Sequence, residues 1–129
     1  MGSAGRLSGL VVNRTTVYGT LHVDPLVLAG KVTIDATGHD AAVVAALRKH
    51  GARLETPGGE PVGEGPMDAP EGERFVVEHT GKIFPGLLVS GMAVCAVFGG
   101  PRMGPIFGGM LLSGKKVAQL ALDEVKAAR

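Results

Sequence analysis

The chain has 129 residues, of which 45% are hydrophobic and 21 are glycines, so it can bury the core of one compact domain with many turns. Its net charge of +1 and aromatic fraction of 4% argue against nucleic-acid binding, which needs a basic surface or aromatic platforms. Cys95 is the single cysteine, which excludes an intrachain disulfide and fits a reducing cytoplasm, where we expect the protein to act.

Short strands separated by breaks are predicted for the first third of the chain. Residues 7–13 read as a strand, residues 15–20 as a second extended piece, and Pro25 as a break. Residues 31–35 form another predicted strand with a β-branched centre. A helix over residues 41–50 follows, with Asp40 as its N-cap and Gly51 just after its cationic last turn.

Loops, strands and one long helix are predicted for the rest of the chain. Residues 56–72 are rich in glycine, proline and acidic side chains, which favours an exposed loop, and residues 74–79 read as a strand. A buried strand at 87–90 leads into a glycine-rich loop at 91–105. Residues 106–128 are predicted to form the closing helix, with a buried stripe drawn from Leu111, Leu112, Val117, Leu120, Leu122 and Val125.

This order of elements is typical of an α/β fold with a mainly parallel sheet. The first predicted strand has no obvious neighbour, because residues 1–5 are too few and too polar to supply one. An unpaired strand leaves an open sheet edge. We therefore expect that an N-terminal half is missing from this chain, or that a partner chain covers the strand.

Residues 86–113 carry one charge, Arg102, and could be mistaken for a membrane span. Pro101 and Pro105 interrupt this segment, and neither apolar half reaches the roughly 20 residues that a bilayer-spanning helix needs. We expect a buried strand, a tight loop and a buried helix here, and no membrane span.

His22, Asp24 and His39 are the first candidates for a chemical site. Histidine nitrogen and aspartate oxygen suit Fe(II), Mn or Zn, and His39 follows a strand end, where α/β folds gather ligands. A structural reading is also open, in which Asp24 starts a turn before Pro25 and His39 precedes a capped helix. No tight ligand spacing such as HExxH decides between these readings.

Arg102 is the second candidate, because it stands alone in the glycine-rich, apolar segment at residues 99–105. A guanidinium fork beside approachable backbone suits a carboxylate or a phosphate. The alternative is an exposed arginine on a surface turn. A charge in apolar surroundings is normally paired, which favours the binding reading.

Other polar residues receive structural interpretations. Cys95 lies in an apolar run and is expected to be a small core residue rather than a nucleophile. Asp35 and Glu78 are expected to be solvated or paired carboxylates at strand ends. His50 and His79 have no evident partner.

Three segments together resemble the thiamine thiazole synthase family, and within it the archaeal-type members that depend on sulfide. They are HVDPL at residues 22–26, VTIDATGHDAAVV at 32–44 and PGLLVSGMAVCAVFGGPRMGPIFGGMLLSGKKVA at 85–118. The resemblance implies a Rossmann-like architecture of the two-dinucleotide-binding flavoprotein superfamily. Residues 1–129 would be the C-terminal part of a single thiazole synthase domain, without the N-terminal half that binds most of the nucleotide.

The resemblance also implies a reaction. NAD loses nicotinamide, the opened ADP-ribose condenses with glycine, and sulfur is added to give an ADP-linked thiazole carboxylate. Eukaryotic members sacrifice a cysteine as sulfur donor, and this chain has His22 at that place. The catalytic position held by His22 therefore implies that sulfide from solution is used, with Fe(II) assisting.

The site residues implied by the resemblance come from two subunits of a homo-oligomer, by family likeness an octamer. Asp24 and His39 resemble iron ligands supplied by adjacent subunits. His22, Val23 and Asp24 resemble a segment that contacts the nucleotide of the neighbouring protomer, and Met92 resembles another nucleotide contact.

Arg102 resembles the residue that binds the glycine carboxylate, in agreement with the reading of its own segment. Two alternatives stay open within this interpretation. Some archaeal relatives are assigned ribose 1,5-bisphosphate isomerase activity, which would need no glycine. The chain could also be an inactive truncated or structural fragment.

Overall fold

The computed structural model describes residues 2–3, 5–13 and 25–128. Its elements, in chain order, are β1 (Gly2–Ser3), β2 (Arg6–Leu7), β3 (Gly9–Val12), β4 (Leu26–Ala29), β5 (Thr33–Asp35), α1 (Ala42–Lys49), β6 (Gly65–Met67), α2 (Ala69–His79), β7 (Gly81–Phe84), β8 (Leu87–Val89), α3 (Met92–Phe98), β9 (Pro101–Arg102) and α4 (Gly108–Ala127). A 3-10 helix, Gly38–Asp40, precedes α1. The predicted α/β class is confirmed.

The central sheet has the order β5–β8–β7, with β8 in the middle. Strands β5 and β8 are parallel, whereas β7 and β8 form an antiparallel hairpin. The hairpin turn is Pro85-Gly86, and a two-residue connection can join only antiparallel strands. Gly86 has φ +83°, and a Cβ there would lie 2.3 Å from the Leu7 carbonyl oxygen. The expectation of a mainly parallel sheet is therefore wrong for the described residues.

The first predicted strand is paired, so the expectation of an orphan strand is also wrong. Strand β3 pairs antiparallel with β4, from Gly9 opposite Ala29 to Val12 opposite Leu26. The apolar run after Pro25 supplies the partner that the sequence reading missed. The extended piece predicted at residues 15–20 lies outside the described residues.

The core is built around β8 and α3. Residues Leu87, Leu88 and Val89 are all buried, as predicted for this strand. Leu87 and Val89 pack in a cluster with residues of α1 and α3, whereas Leu88 lines the groove beneath α4. The middle strand is thus covered on both faces, which explains its uninterrupted apolar sequence.

Residues 74–79 were predicted as a strand but form the second half of α2. Asp68 is the N-cap, and its side chain accepts a hydrogen bond from the Glu71 backbone N–H at 3.2 Å. Pro70 stands in the first turn, where its missing N–H costs no hydrogen bond. These start signals outweigh the β-branched pair Val76-Val77. The predicted loop at 56–72 is therefore too long, because its second half contains β6 and the first turn of α2.

Residues 91–105 were predicted as a loop, but they contain α3. Residues 92–97 are buried throughout, so the helix has no polar face and no amphipathic period. A short apolar run of this kind cannot be identified as a helix from periodicity. Its C-terminal Gly99 has φ +79°, the left-handed conformation expected just past a helix end.

The closing helix is confirmed as α4, and Val117 of its predicted stripe is buried, but half of that stripe is exposed. Gly109, Ser113 and Val117 are its buried residues, spaced four apart. Leu111, Leu112 and Leu122 are exposed. Small residues form the buried face because α4 packs closely on α2: a Cβ at Gly109 would lie 3.1 Å from the Glu73 side chain. Over residues 2–3, 5–13 and 25–128, no helix combines the length and apolarity needed to cross a bilayer.

Candidate functional site

His39 lies in the 3-10 helix that directly follows β5, at the carboxyl end of the parallel pair β5–β8. This 3-10 helix packs against α3, which starts at the carboxyl end of β8. The two neighbouring strand ends therefore deliver His39 and the start of α3 to one edge of the sheet, where α/β folds commonly place their sites.

The loop that carries His39 is held by the buried carboxylate of Asp35. Its Oδ1 accepts hydrogen bonds from the Thr37 backbone N–H at 3.0 Å and from the Thr37 hydroxyl at 2.7 Å. Its Oδ2 accepts from the Val44 backbone N–H at 2.9 Å. Asp35 is fully buried, so the alternative of a solvated carboxylate is wrong.

Asp40 was predicted to cap α1, but this prediction is wrong. The N-cap is Ala41, which has φ +40° and no side-chain acceptor. The Thr37 hydroxyl accepts from the Ala42 backbone N–H at 2.7 Å, and the Asp35 carboxylate accepts from the Val44 backbone N–H. Ala41 is the one non-glycine residue with positive φ in the described ranges, and it stands two positions after His39.

Arg102 reaches the same edge through β9, which pairs in parallel with β6. The Gly65 backbone N–H donates to the Gly100 carbonyl at 2.8 Å, and the Asp68 N–H donates to the Arg102 carbonyl at 3.0 Å. Helix α2 presses on β9 at Gly72, where a Cβ would lie 2.9 Å from the Pro101 carbonyl oxygen. The backbone of Arg102 is therefore fixed from two sides.

Glu64 joins the two predicted residues. Its Oε1 contacts Nδ1 of His39, and its Oε2 accepts a hydrogen bond from Nε of Arg102 at 2.7 Å. The Glu64 side chain is 7% exposed, whereas the side chains of His39 and Arg102 are 58% and 54% exposed. One covered carboxylate thus holds two accessible cationic or ligand groups side by side.

Cys95 lies beneath this edge. Burial first, and then the nearby charge of Glu64, raises the pKa of the Cys95 thiol from 9.0 to about 11. Its Sγ–H donates to the Pro101 carbonyl at 3.2 Å. Cys95 is therefore a protonated thiol at neutral pH and a small core residue, as predicted.

Met92 begins α3, but its side chain is buried with Val76, Cys95 and Met103. The side chain offers little surface to a nucleotide. The predicted nucleotide contact at Met92 stays a prediction.

His22, Val23 and Asp24 lie outside the described residues, so their predicted roles stay predictions. Within the described ranges, no three His, Cys, Asp or Glu side chains converge as a metal-binding group. His39 nevertheless fits the role of a single ligand. A carboxylate beside a guanidinium accepts hydrogen bonds, so the proton shared with Glu64 lies on Nδ1 of His39, and in the neutral imidazole Nε2 keeps the lone pair that a metal needs.

Glu64 was missed by the sequence reading, which placed it in an exposed acidic loop. The available signal was its position between Gly63 and Gly65, where a lone carboxylate stands on closely approachable backbone. The composition of residues 56–72 concealed this signal, because several other acidic residues there are exposed.

Comparison with known proteins gives a consistent result. The Thi4 family model matches residues 2–107. A thiamine thiazole synthase of Thermotoga maritima is 56% identical over 124 residues, covering 95% of this chain and 47% of that protein. One of Pyrococcus abyssi is 54% identical over 121 residues, covering 93% of this chain and 46% of that protein.

Among solved structures, the crystal structure of Thermovibrio ammonificans THI4 matches with a TM-score of 0.84 and 52% identity, covering 94% of this chain and 47% of that one. The chain spans about half the length of the relatives it matches, consistent with a C-terminal portion and with part of a Rossmann-like fold. The resemblance predicted from the sequence is confirmed: the chain belongs to the Thi4 family.

Proposed function

We propose that the chain acts in thiamine biosynthesis, as part of an iron-dependent enzyme that makes ADP-thiazole carboxylate from NAD, glycine and sulfide. Its relatives are named thiamine thiazole synthases, which supports the thiazole-forming reaction. The observation that carries the proposal is the bridge from His39 through Glu64 to Arg102. It brings a metal-ligand candidate and a carboxylate-binding candidate together at one accessible edge.

His39 would bind Fe(II) through Nε2, because the proton on Nδ1 faces Glu64. Arg102 would bind the glycine carboxylate. Its Nε–H is already bonded to Glu64, so its two terminal nitrogens remain to bind the carboxylate. Held by its carboxylate, glycine would present a free amine to the opened sugar.

Asp24 is proposed as the second iron ligand, supplied by an adjacent subunit. His22, Val23 and Asp24 are proposed to contact the nucleotide of the neighbouring protomer, whose His39 shares the iron. Bound iron would supply Lewis-acid positions for sulfide and for substrate oxygen or nitrogen. His22 replaces a cysteine donor, which supports sulfide as the sulfur source. This arrangement requires a homo-oligomer, because one chain would not complete its own site.

The test uses protein purified without oxygen, expressed with any coding sequence that adjoins this chain in its gene. Wild-type protein is expected to bind Fe(II) and to form an ADP-thiazole product, detected by mass spectrometry, only when NAD, glycine and sulfide are all present. Asp24→Ala and His39→Ala are expected to lose iron. Arg102→Ala is expected to raise the KM for glycine by about 10- to 100-fold.

Arg74→Ala is the matched control, because Arg74 is another exposed arginine paired with a glutamate, Glu71, on α2. It should leave iron binding and glycine dependence unchanged. Wild-type protein that binds no iron and forms no thiazole product would contradict the proposal. Turnover of ribose 1,5-bisphosphate without glycine would point to the isomerase alternative.

A further inference from the structure

Glu64 has a role that neither the sequence motifs nor the family match assigns. We infer that Glu64 is a positioning residue that sets the spacing and orientation of the His39 imidazole relative to the Arg102 guanidinium. The inference rests on the proposed function, in which His39 binds iron and Arg102 binds glycine. The contacts of Glu64 that support it all join residues that the structure describes.

The backbone on both sides of Glu64 is held by hydrogen bonds that do not involve the Glu64 side chain. The Val62 and Gly63 N–H groups donate to carbonyl groups of α3 at 3.0 and 2.9 Å. The next residue, Gly65, starts the parallel pairing of β6 with β9. The carboxylate therefore extends from a segment that is hydrogen-bonded on both sides of Glu64.

On one side, Glu64 selects the form of the imidazole. A carboxylate oxygen against Nδ1 requires the proton on that nitrogen, so in the neutral imidazole Nε2 is the nitrogen with the free lone pair. The same contact limits rotation of the ring, whose side chain is otherwise more than half exposed. Carboxylates behind metal-binding histidines act in this way, and their removal typically weakens metal binding by about 10- to 100-fold.

On the other side, Glu64 orients the guanidinium. It accepts from Nε, the nitrogen nearest the stem of Arg102, at 2.7 Å. In the described ranges no other hydrogen-bond partner of Arg102 side-chain nitrogens is found. The two terminal nitrogens are thus available for a bidentate carboxylate.

Sharing one carboxylate couples the two partners. The His39–Nδ1 and Arg102–Nε contacts use different oxygens of one rigid planar group, so neither partner can shift without losing its bond. In the proposed reaction this coupling fixes the distance between the metal position and the glycine anchor. A misplacement of about 1 Å between reacting groups can cost roughly a hundredfold in rate.

A purely structural ion bridge is the competing explanation. Both partners of Glu64 are more than half exposed, and ion pairs with exposed partners typically contribute about 0–1 kcal/mol. Such a bridge would change little in the ligand-binding behaviour of its partners when removed. The two explanations therefore predict different results when Glu64 is replaced, both for the tautomer of His39 and for the binding of iron and glycine.

Glu64→Gln is the decisive variant, because one amide oxygen cannot accept from both partners and the NH2 group would face the remaining donor. The first readout is the tautomer of His39 in metal-free protein, by nitrogen-15 NMR of labelled histidine, assigned with His39→Gln. The pH is set about two units above the ordinary histidine pKa of roughly 6.5. Wild type is expected to be the Nδ1–H tautomer, and Glu64→Gln a mixture with Nε2–H.

The second readout is binding. Glu64→Gln is expected to raise the KM for glycine and the Kd for Fe(II) by about 10- to 100-fold each and, because the spacing of the two groups is lost, to lower kcat at saturation by up to about a hundredfold. Glu60→Gln is the matched control, because Glu60 lies in the same segment and pairs with Arg48 at the surface. It is expected to match wild type in both readouts.

An Nε2–H tautomer in wild-type protein would overturn the inference, and so would a Glu64→Gln variant with unchanged tautomer and unchanged affinities. The wild-type spectrum can overturn the inference even if the variant does not fold. Failure of the proposed function is a separate result: wild-type protein without thiazole product would remove the reaction, while the tautomer readout would still decide the role of Glu64.

Discussion

Two covered carboxylates lie close to His39 in the chain or in space, and they are satisfied in different ways. Asp35 accepts two backbone N–H groups and one hydroxyl, all within 9 residues of it along the chain. Glu64 bonds two side chains that are 25 and 38 residues away and are more than half exposed.

This difference in hydrogen-bond partners indicates different roles: Asp35 stabilises a loop, and Glu64 orients two side chains of the candidate site. A carboxylate that neutralises buried backbone donors stabilises the fold, because those donors would otherwise remain unsatisfied. A carboxylate that bonds exposed functional side chains adds little stability, since water could solvate them in its absence. Asp35 is thus a structural anchor of the His39 loop, and Glu64 serves the chemistry of its partners.

Asp35→Asn is expected to lower the free energy of unfolding more than any other substitution considered in this contrast. An amide NH2 would face either the Val44 or the Thr37 donor inside a dry site, so we expect a loss of roughly 3 kcal/mol in the free energy of unfolding. Urea denaturation measures it. Asp40→Asn, in the exposed 3-10 helix, should stay within about 0.5 kcal/mol of wild type. Equal effects at the two positions would contradict the role given to Asp35.

Gly72→Ala tests whether Arg102 depends on the packing of its backbone. The added Cβ would lie 2.9 Å from the Pro101 carbonyl oxygen and 3.0 Å from the Met103 backbone nitrogen, so α2 and β9 must separate. We expect a destabilisation of about 2 kcal/mol, measured by urea denaturation. Gly114→Ala, with no atom within 4 Å of the new Cβ, should gain up to about 1 kcal/mol. An unchanged free energy of unfolding in Gly72→Ala would show that α2 and β9 are not closely packed at this position.

Cys95 lies beneath Glu64, and burial first, with the Glu64 charge second, raises the pKa of its thiol. Its pKa of about 11 in the folded chain exceeds the ordinary 9.0, so the unfolded chain loses this proton first as the pH rises. The contribution to stability is fully present below about pH 9 and is lost as the pH rises through 11. Between pH 8 and 11 we expect wild type to lose more stability than Cys95→Ala, by on the order of 2 kcal/mol. Equal losses in both proteins would argue against the raised pKa.

Glu64→Gln has the smallest predicted effect on stability, below about 1 kcal/mol. The matched comparison is with Asp35→Asn, because both changes replace one carboxylate oxygen with NH2. Thermal or urea unfolding of the two variants side by side is the measurement. A loss at Glu64 as large as that at Asp35 would make both carboxylates structural and remove the contrast between them.

The sequence allowed the chemically distinctive residues and the strongest elements to be predicted. Strand β8 and helix α4 were identified, because an unbroken apolar run and a long helical segment are strong signals. His39 and Arg102 were selected by the chemistry of their side chains and by resemblance. That they share one partner could not be predicted, because it depends on the parallel pairing of β6 with β9 across a long loop.

The missed elements have identifiable physical causes. Helix α3 is buried on all sides and shows no period, and α2 contains β-branched residues that outweighed its Asp68 cap in the sequence reading. The buried side of α4 consists of Gly109, Ser113 and Val117, so ranking residues by hydrophobicity selected leucines that are exposed instead. Close approach between helices favoured small residues over large apolar ones.

The chain separations of these hydrogen bonds also bear on the route of folding. Short loops close at low entropic cost, so the contacts of Asp35, at most 9 residues long, can form early with α1. The contacts of Glu64 span 25 and 38 residues, and the one to Arg102 requires strands β6 and β9 to meet first, which is slower. During refolding we expect the His39 loop to become protected before Arg102 joins it, so a partly folded molecule would carry the imidazole without its guanidinium neighbour.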